Sequence, residues 1–551
     1  MRKKGCMRLL AAALAAMMLA GCGGGEAVST TEGGEGVVET AAEAVPESEA
    51  AGTEKVVTMA TVQAWNGMSP LSHTNSSQQI FMSPIYNCLF QINAKGEVEN
   101  QLGISAEQNE DGTVVTVKLN PDAKWHDGEK VTADDVVFTY RIMSNPDIGL
   151  SSGRYTYLFT GTDESGYWSD PEELGVKAID EETVEFTLKP EMVTSLENLC
   201  YRGIGNNMIY PEHCLKDVPA ETFVTDSFWD NPVGSGAFKL DNVISGERME
   251  YVANEDYYLG APDFDRLIIR VIPSANMLSA LISGEIDMTA LGSELPYTDF
   301  EMASQDPGLY TLDMDGFANE HILINNEKLE QNVRKAIDCA IDKEMIVNDV
   351  LSGAGRVAIS AIVPENPYRL EGIEGNAYDP ERAKELLAEA GWDGRTLNMM
   401  VKSDNMMNQN AAALIQQQLA AVGITIEIET LDFATMTSRM AAGEYDLAIA
   451  QSGSNPFEPS ESRFYFQLVP VGWLRMTDSS WLDLYDAGNN GRTIEERKPY
   501  YEELQRRLVD EVPMIFLYHR NAQYYCSNRV TNVTFEDFPF INYKFHEWKV
   551  E

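Results

Sequence analysis

Six histidines, seven cysteines and 86 carboxylates are the groups in this 551-residue chain that could do acid–base or metal chemistry, and their spacing argues against most of it. The histidines stand at 73, 126, 213, 321, 519 and 546, so no HExxH or HxxxH pair puts two imidazoles on one helical face. His126-Asp127 invites an acid–base reading, but Asp127-Gly128 reads first as a turn with the histidine packing or capping beside it. Asp313-Met314-Asp315-Gly316 lacks the spaced acids of a calcium loop. Gly234-Ser235-Gly236 is too short to cradle a phosphate, and neither a P-loop nor a nucleophile elbow is expected. The cysteines form no CxxC, which argues against a zinc ribbon or a thioredoxin-type site. Two carboxylates facing a cleft would suffice for glycoside hydrolysis, but no spacing marks such a pair. The residues therefore point away from an enzyme, and to no cofactor and no metal.

Acidic residues outnumber basic ones 86 to 41, a net charge of −45. That sign excludes a nucleic-acid binder, which needs a basic footprint. Arg2, Lys3, Lys4 and Arg8 precede an apolar run of twelve residues, Leu9 to Ala20. Such a run is too short to span a bilayer core of about 30 Å and suits a secretory signal over 1–21. It ends in Leu19-Ala20-Gly21-Cys22, which resembles the lipobox of bacterial lipoproteins and implies a diacylglycerol on Cys22. The signal holds four basic and no acidic residues, so its loss moves the charge from −45 to −49. After Cys22, residues 23–54 are Gly, Ala, Ser, Thr and Glu with one proline and Val as the only bulky apolar type, so 22–55 is expected to stay disordered. As a flexible tether it would hold the body on the order of 30 Å from a membrane.

The body alternates strands and helices. Val114–Leu119 reads as a strand, and Thr132 with Asp135 opens a helix with Val136, Val137, Tyr140 and Met143 on one face. Val333, Ala336, Ile337, Ala340 and Ile341 form a second apolar stripe, after which Asp342 can cap a new helix. Asp379-Pro380 opens a helix closed by Gly391, and Gly423 stops another over 408–422. The alternating 424–429, a helix over 436–442 ended by Gly443, and the apolar 446–450 complete strand–helix–strand units. This order predicts an α/β layered fold.

Six of these segments resemble, in register, the family-5 extracellular solute-binding proteins of ABC importers, the group that includes dipeptide and oligopeptide receptors. They are 125–143 (WHDGEKVTADDVVFTYRIM), 231–240 (NPVGSGAFKL), 263–288 (ending SGEIDM), 333–350 (VRKAIDCAIDKEMI and the residues after it), 378–392 (YDPERAKELLAEAGW) and 419–450 (LAAVGITIEIE to GEYDLAIA). The resemblance implies a type II, two-lobed periplasmic-binding-protein fold that closes on its ligand like a hinged clamp. It places lobe one, with an inserted subdomain, at 56–317 and 513–551, and lobe two at 318–512. The hinges would lie near 315–320 and 513–519.

It also implies a site. Peptide receptors of the family carry an aspartate after the GEYDL strand that pairs with the ligand's α-ammonium. Here Gln451-Ser452-Gly453-Ser454-Asn455-Pro456 holds no acid, with Ser454 or Asn455 at that place, and Glu458 would serve only if the loop were re-routed. Trp65 and Asn66 follow the first strand, Phe317 and Asn319 sit at the first hinge, Tyr518 at the second, and Trp473 and Arg475 beyond the missing acid. With Gln451, Ser452, Ser454 and Asn455 these are the expected ligand contacts. The expected partners are a small solute or short peptide and the permease and ATPase subunits of an importer, met by a monomer anchored outside the cytoplasm by lipid alone. A peptide-like ligand leads; an oligosaccharide, nickel chelate, haem or another metabolite is the alternative, as is a sensor of the same fold.

Overall fold

The computed structural model describes residues 54–551 except 63, 66, 73–76, 94–96, 151–155, 206, 291–294, 296, 404, 454–456, 470–471 and 534–543. The signal, Cys22 and nearly all of the tether lie outside the described residues.

Two sheets organise the body. In the seven-stranded one, Val56–Thr61 runs parallel to Arg266–Val271 and Met288–Thr289. The hairpin Phe238–Ile244 and Arg248–Ala253 extends one side, and Ala522–Ser527 with Leu309–Met314 the other. Helix Ser274–Ser283 crosses between two of the parallel strands and ends on Gly284 in the left-handed conformation. The six-stranded sheet has the order Gly355–Val357, Met514–Arg520, Asn319–Ile324, Leu447–Ser452, Leu397–Lys402, Ile426–Leu431. Its last three strands are parallel and joined by helices Met406–Ala421 and Phe433–Ala442, the crossover units expected from the sequence. Asn319–Ile324 and Met514–Arg520 are buried at every residue, as central strands covered on both faces must be.

A smaller antiparallel sheet (Gly103–Gln108, Val114–Leu119, Thr183–Thr187, Val176–Asp180) packs on helix Ala133–Met143 around its own core. That helix starts with the Thr132–Asp135 capping box read from the sequence. This subdomain lies in the chain between Val56–Thr61 and Phe238–Ile244.

The chain passes from the first large sheet to the second between Met314 and Asn319, and returns between Arg520 and Ala522. The return corrects the boundary expected at 513. Met514–Arg520 pairs with Asn319–Ile324 and Gly355–Val357, so 514–520 belongs to lobe two. Its continuous apolar run marks a doubly covered strand, whereas which sheet it joins depends on partners far away in sequence.

The two crossings touch through their backbones. A Cβ on Gly316 would lie 2.1 Å from the Arg520 carbonyl oxygen and 3.0 Å from the Ala522 nitrogen. Gly316→Ala must therefore push the crossings apart, at a cost of about 1–3 kcal/mol. Urea unfolding followed by circular dichroism measures this; an unchanged midpoint would mean the two segments are not in contact. The lobes also meet elsewhere. Arg492 Nη1 donates to the Glu110 carbonyl (2.7 Å), Gly491 bridges Thr194, and Phe457 lies edge-on to Tyr201 at 6.1 Å.

Candidate functional site

The strand ends beside the crossings bring together Asn319, Glu320, His321, Gln451, Ser452, Tyr518, His519 and Arg520. Asn319 faces Ser452 on one side and His519 on the other. Its Nδ2 donates to Ser452 Oγ at 3.0 Å, and its Oδ1 accepts from His321 Nδ1 at 2.8 Å. That bond leaves His321 Nε2 buried and without a hydrogen-bond partner among the described residues. Burial pushes His321 down to about 3, so the ring is neutral. It packs edge-on to Tyr465 at 4.9 Å and near Phe516 at 5.8 Å. Ser452 is half-buried and Gln451 exposed, so this edge offers uncharged hydrogen-bonding groups to a ligand.

On the same two strands, Glu320 is fully buried with Oε1 3.3 Å from Arg520 Nε. Neither carboxylate oxygen accepts a hydrogen bond among the described residues. Burial pushes Glu320 up to about 8 and Arg520 down to about 10, and the short charge separation opposes both shifts. Tyr518 sits fully buried in lobe two's core, and its hydroxyl has no hydrogen-bond partner among the described residues.

The other expected contacts divide. Asn319, Gln451 and Ser452 lie together. Phe317 is half-buried on the first crossing, and Trp65 is half-buried with its ring 5.0 Å from Phe81 in lobe one's core. Tyr518 is interior rather than surface. Trp473 packs on Phe464 at 4.7 Å and reaches the His321 side through Tyr465, while its carbonyl accepts from the Tyr445 hydroxyl. Arg475 is misplaced by the sequence reading. Its neighbour Leu474 bonds Asn326, beyond the far end of Asn319–Ile324 and so roughly 17 Å or more from Asn319. There the guanidinium is engaged by Glu327 (2.8 Å) and the Ala441 carbonyl (3.2 Å). Asn66, Ser454 and Asn455 lie outside the described residues.

Glu458 is no substitute for the missing aspartate. It is 3% exposed and accepts two hydrogen bonds from Arg497 Nη2, at 2.9 and 2.7 Å. Sequence reasoning passed over Glu320, His321, Arg497 and Arg520, although ionisable residues inside apolar runs (NEHILI, MIFLYHR) are a usable signal. It also passed over the G-x-S-x-G string at 149–153. A nucleophile elbow needs a strand leading into it, whereas this string follows helix Ala133–Met143, and 151–155 lie outside the described residues.

The model of Bacterial extracellular solute-binding proteins, family 5 Middle, matches residues 97–469. The chain belongs to this family. This family-5 protein is 27% identical over 485 residues to the oligopeptide-binding protein AppA of Bacillus subtilis (strain 168), covering 82% of this chain and 83% of that one. It is 28% identical over 491 residues to heme-binding protein A of Haemophilus influenzae, covering 83% and 86%. Among solved structures, AppA from Bacillus subtilis in complex with a nonapeptide superposes with a TM-score of 0.76 at 22% identity, over 90% of this chain and 99% of that one. The solute-binding fold is thereby shown. Among the described residues no helix is long and apolar enough to cross a membrane.

Proposed function

We propose that this family-5 protein is the receptor of an ABC importer, held outside the cytoplasm by lipid on Cys22 and the tether 22–55, and that it binds peptide-like ligands without performing chemistry on them. Its permease and ATPase partners would read the closed clamp. A ligand touching both lobes binds the closed state better and so draws the equilibrium toward it. The observation that carries the ligand class is the uncharged strand end made by exposed Gln451 and half-buried Ser452 beside the crossings, with Ser452 held by the buried Asn319. Strand ends of this kind suit main-chain amides, which need donors and acceptors rather than a counter-charge. The similarity to an oligopeptide-binding protein supports the same class.

Native mass spectrometry on residues 55–551, purified without denaturation, tests it. An adduct that fragments into amino-acid residues is expected. A sugar, haem or metal-chelate mass would sink the peptide reading and leave the receptor reading standing. With the ligand in hand, Gln451→Ala is expected to weaken binding about tenfold, about 1.4 kcal/mol, with an unchanged melting midpoint, because the side chain is exposed and supports no fold contact. Equal affinity in the variant would move the ligand off this edge.

A further inference from the structure

Asp127, His213 and Cys214 stand apart from the crossings, and each offers one ligand atom within 4.8 Å of the other two. We propose that they form a site for a borderline divalent cation of the zinc type, which staples the 125–129 turn to helix Glu212–Leu215. Carboxylate oxygen, imidazole nitrogen and thiolate sulfur are the donor types such ions accept, and three protein ligands leave a fourth, tetrahedral position for water. His213 Nε2 already lies 2.9 Å from Asp127 Oδ2, so only a small spreading of the pair admits an ion between them. A plain His–Asp pair would account for two of these groups. The third makes the arrangement a tripod. Among the described cysteines Cys214 is also the one that is not buried.

Both donor-bearing segments are held by bonds that do not involve the donors. In the turn, Trp125 N bonds the Glu129 carbonyl at 2.8 Å and Gly128 N the Trp125 carbonyl at 2.9 Å, with Gly128 at φ 96°. His126 is clamped to the 234–236 segment, its Nδ1 accepting from Gly234 N at 3.2 Å and its Nε2 donating to the Gly236 carbonyl at 3.1 Å. On the other side, Asp135 Oδ1 accepts from Glu212 N at 2.8 Å and fixes the start of the short helix. Cys214 packs against lobe one's core. A site preorganised in this way forfeits little ordering entropy when the ion arrives. The His213 and Asp127 side chains are 36% and 35% exposed, which leaves a path for entry, and a net charge of −45 raises the local cation concentration.

The test is a Co2+ titration of the full chain after dialysis against chelator. Expected are a thiolate-to-cobalt charge-transfer band in the near ultraviolet that saturates at one equivalent, bleaching of that band by Zn2+, and a rise of the melting midpoint with Zn2+. Cys214→Ser should abolish the band, and Asp127→Asn and His213→Gln should each weaken Co2+ binding at least tenfold. All three variants should keep the wild-type metal-free circular dichroism. Absence of the band, a band that survives in Cys214→Ser, or a Zn2+-induced midpoint shift equal in wild type and Cys214→Ser would overturn the proposal. The same would follow if Asp127→Asn and His213→Gln both titrated like wild type.

Discussion

Arg497→Leu is expected to lose about 3–5 kcal/mol of unfolding free energy at pH 7, the usual consequence of stranding a buried charge. Arg497 is 2% exposed and donates from every guanidinium nitrogen: Nε to the Gly488 carbonyl (2.7 Å), Nη1 to the Tyr368 hydroxyl (2.8 Å), Nη2 to both oxygens of Glu458. The rings of Tyr368 and Tyr501 lie 4.9 and 5.8 Å from its central carbon. Removing it takes both guanidinium hydrogen bonds from Glu458 in a dry site. The folded-state pKa of that carboxyl then rises above its unfolded value, so the deficit is smallest in acid and grows as pH climbs through and beyond the ordinary carboxylate range. Urea unfolding at pH 5 and pH 7 measures both parts. The double variant Arg497→Leu with Glu458→Leu should recover part of the loss, since it leaves no orphaned charge. A single-variant loss below about 0.5 kcal/mol would show that the pair is solvated.

That pair also shows where sequence reading stops. Caps and stops were legible because their chemistry is local: Asp379 accepts from Arg382 N, and Gly391 and Gly443 take the left-handed turns their helices end on. The alternation at 424–429 lies for its last four residues in strand Ile426–Leu431, two residues later than the spacing placed it. Partnership is not local. Glu458 looked available because Arg497 stands 39 residues further along the chain, and the tripod at Asp127 escaped because His213 is 86 residues away. Arg475 is close to Ser452 in sequence, but the chain between them runs back along the sheet to Asn326, so spacing misplaced it. The uncharged edge was half legible. The absence of an acid at 451–456 could be read directly, whereas the Asn319–Ser452 bond needed the sheet register.

Arg520→Met is expected to act in a different way, and its signature is pH. Glu320 and Arg520 are the last ionisable pair before the chain leaves the six-stranded sheet, held 3.3 Å apart by charge without an aligned hydrogen bond on either carboxylate oxygen. The groups packed around Glu320 add no neutralising charge: Tyr518 on the paired strand and Tyr297 from helix Tyr297–Ser304 both have their hydroxyls pushed well up by burial and by Glu320 itself. Even beside Arg520, burial raises Glu320 to about 8. Without the guanidinium its pKa rises further and the carboxyl stays protonated. A folded-state pKa above the unfolded one gives stability that is complete below the unfolded pKa and is lost as pH rises through the folded one. Arg520→Met should therefore cost little at pH 5 and 7, where Glu320 is protonated in both proteins, and the two curves should part only above about pH 8, by on the order of 1 kcal/mol at pH 9. Urea midpoints at pH 5, 7 and 9 read this directly. A deficit independent of pH would mean that Glu320 does not titrate against Arg520. Because Arg520 lies against the backbone of the first crossing at Gly316, the same variant should lose ligand affinity in step with stability as pH rises. Affinity that stayed constant while stability fell would separate this pair from the closing motion.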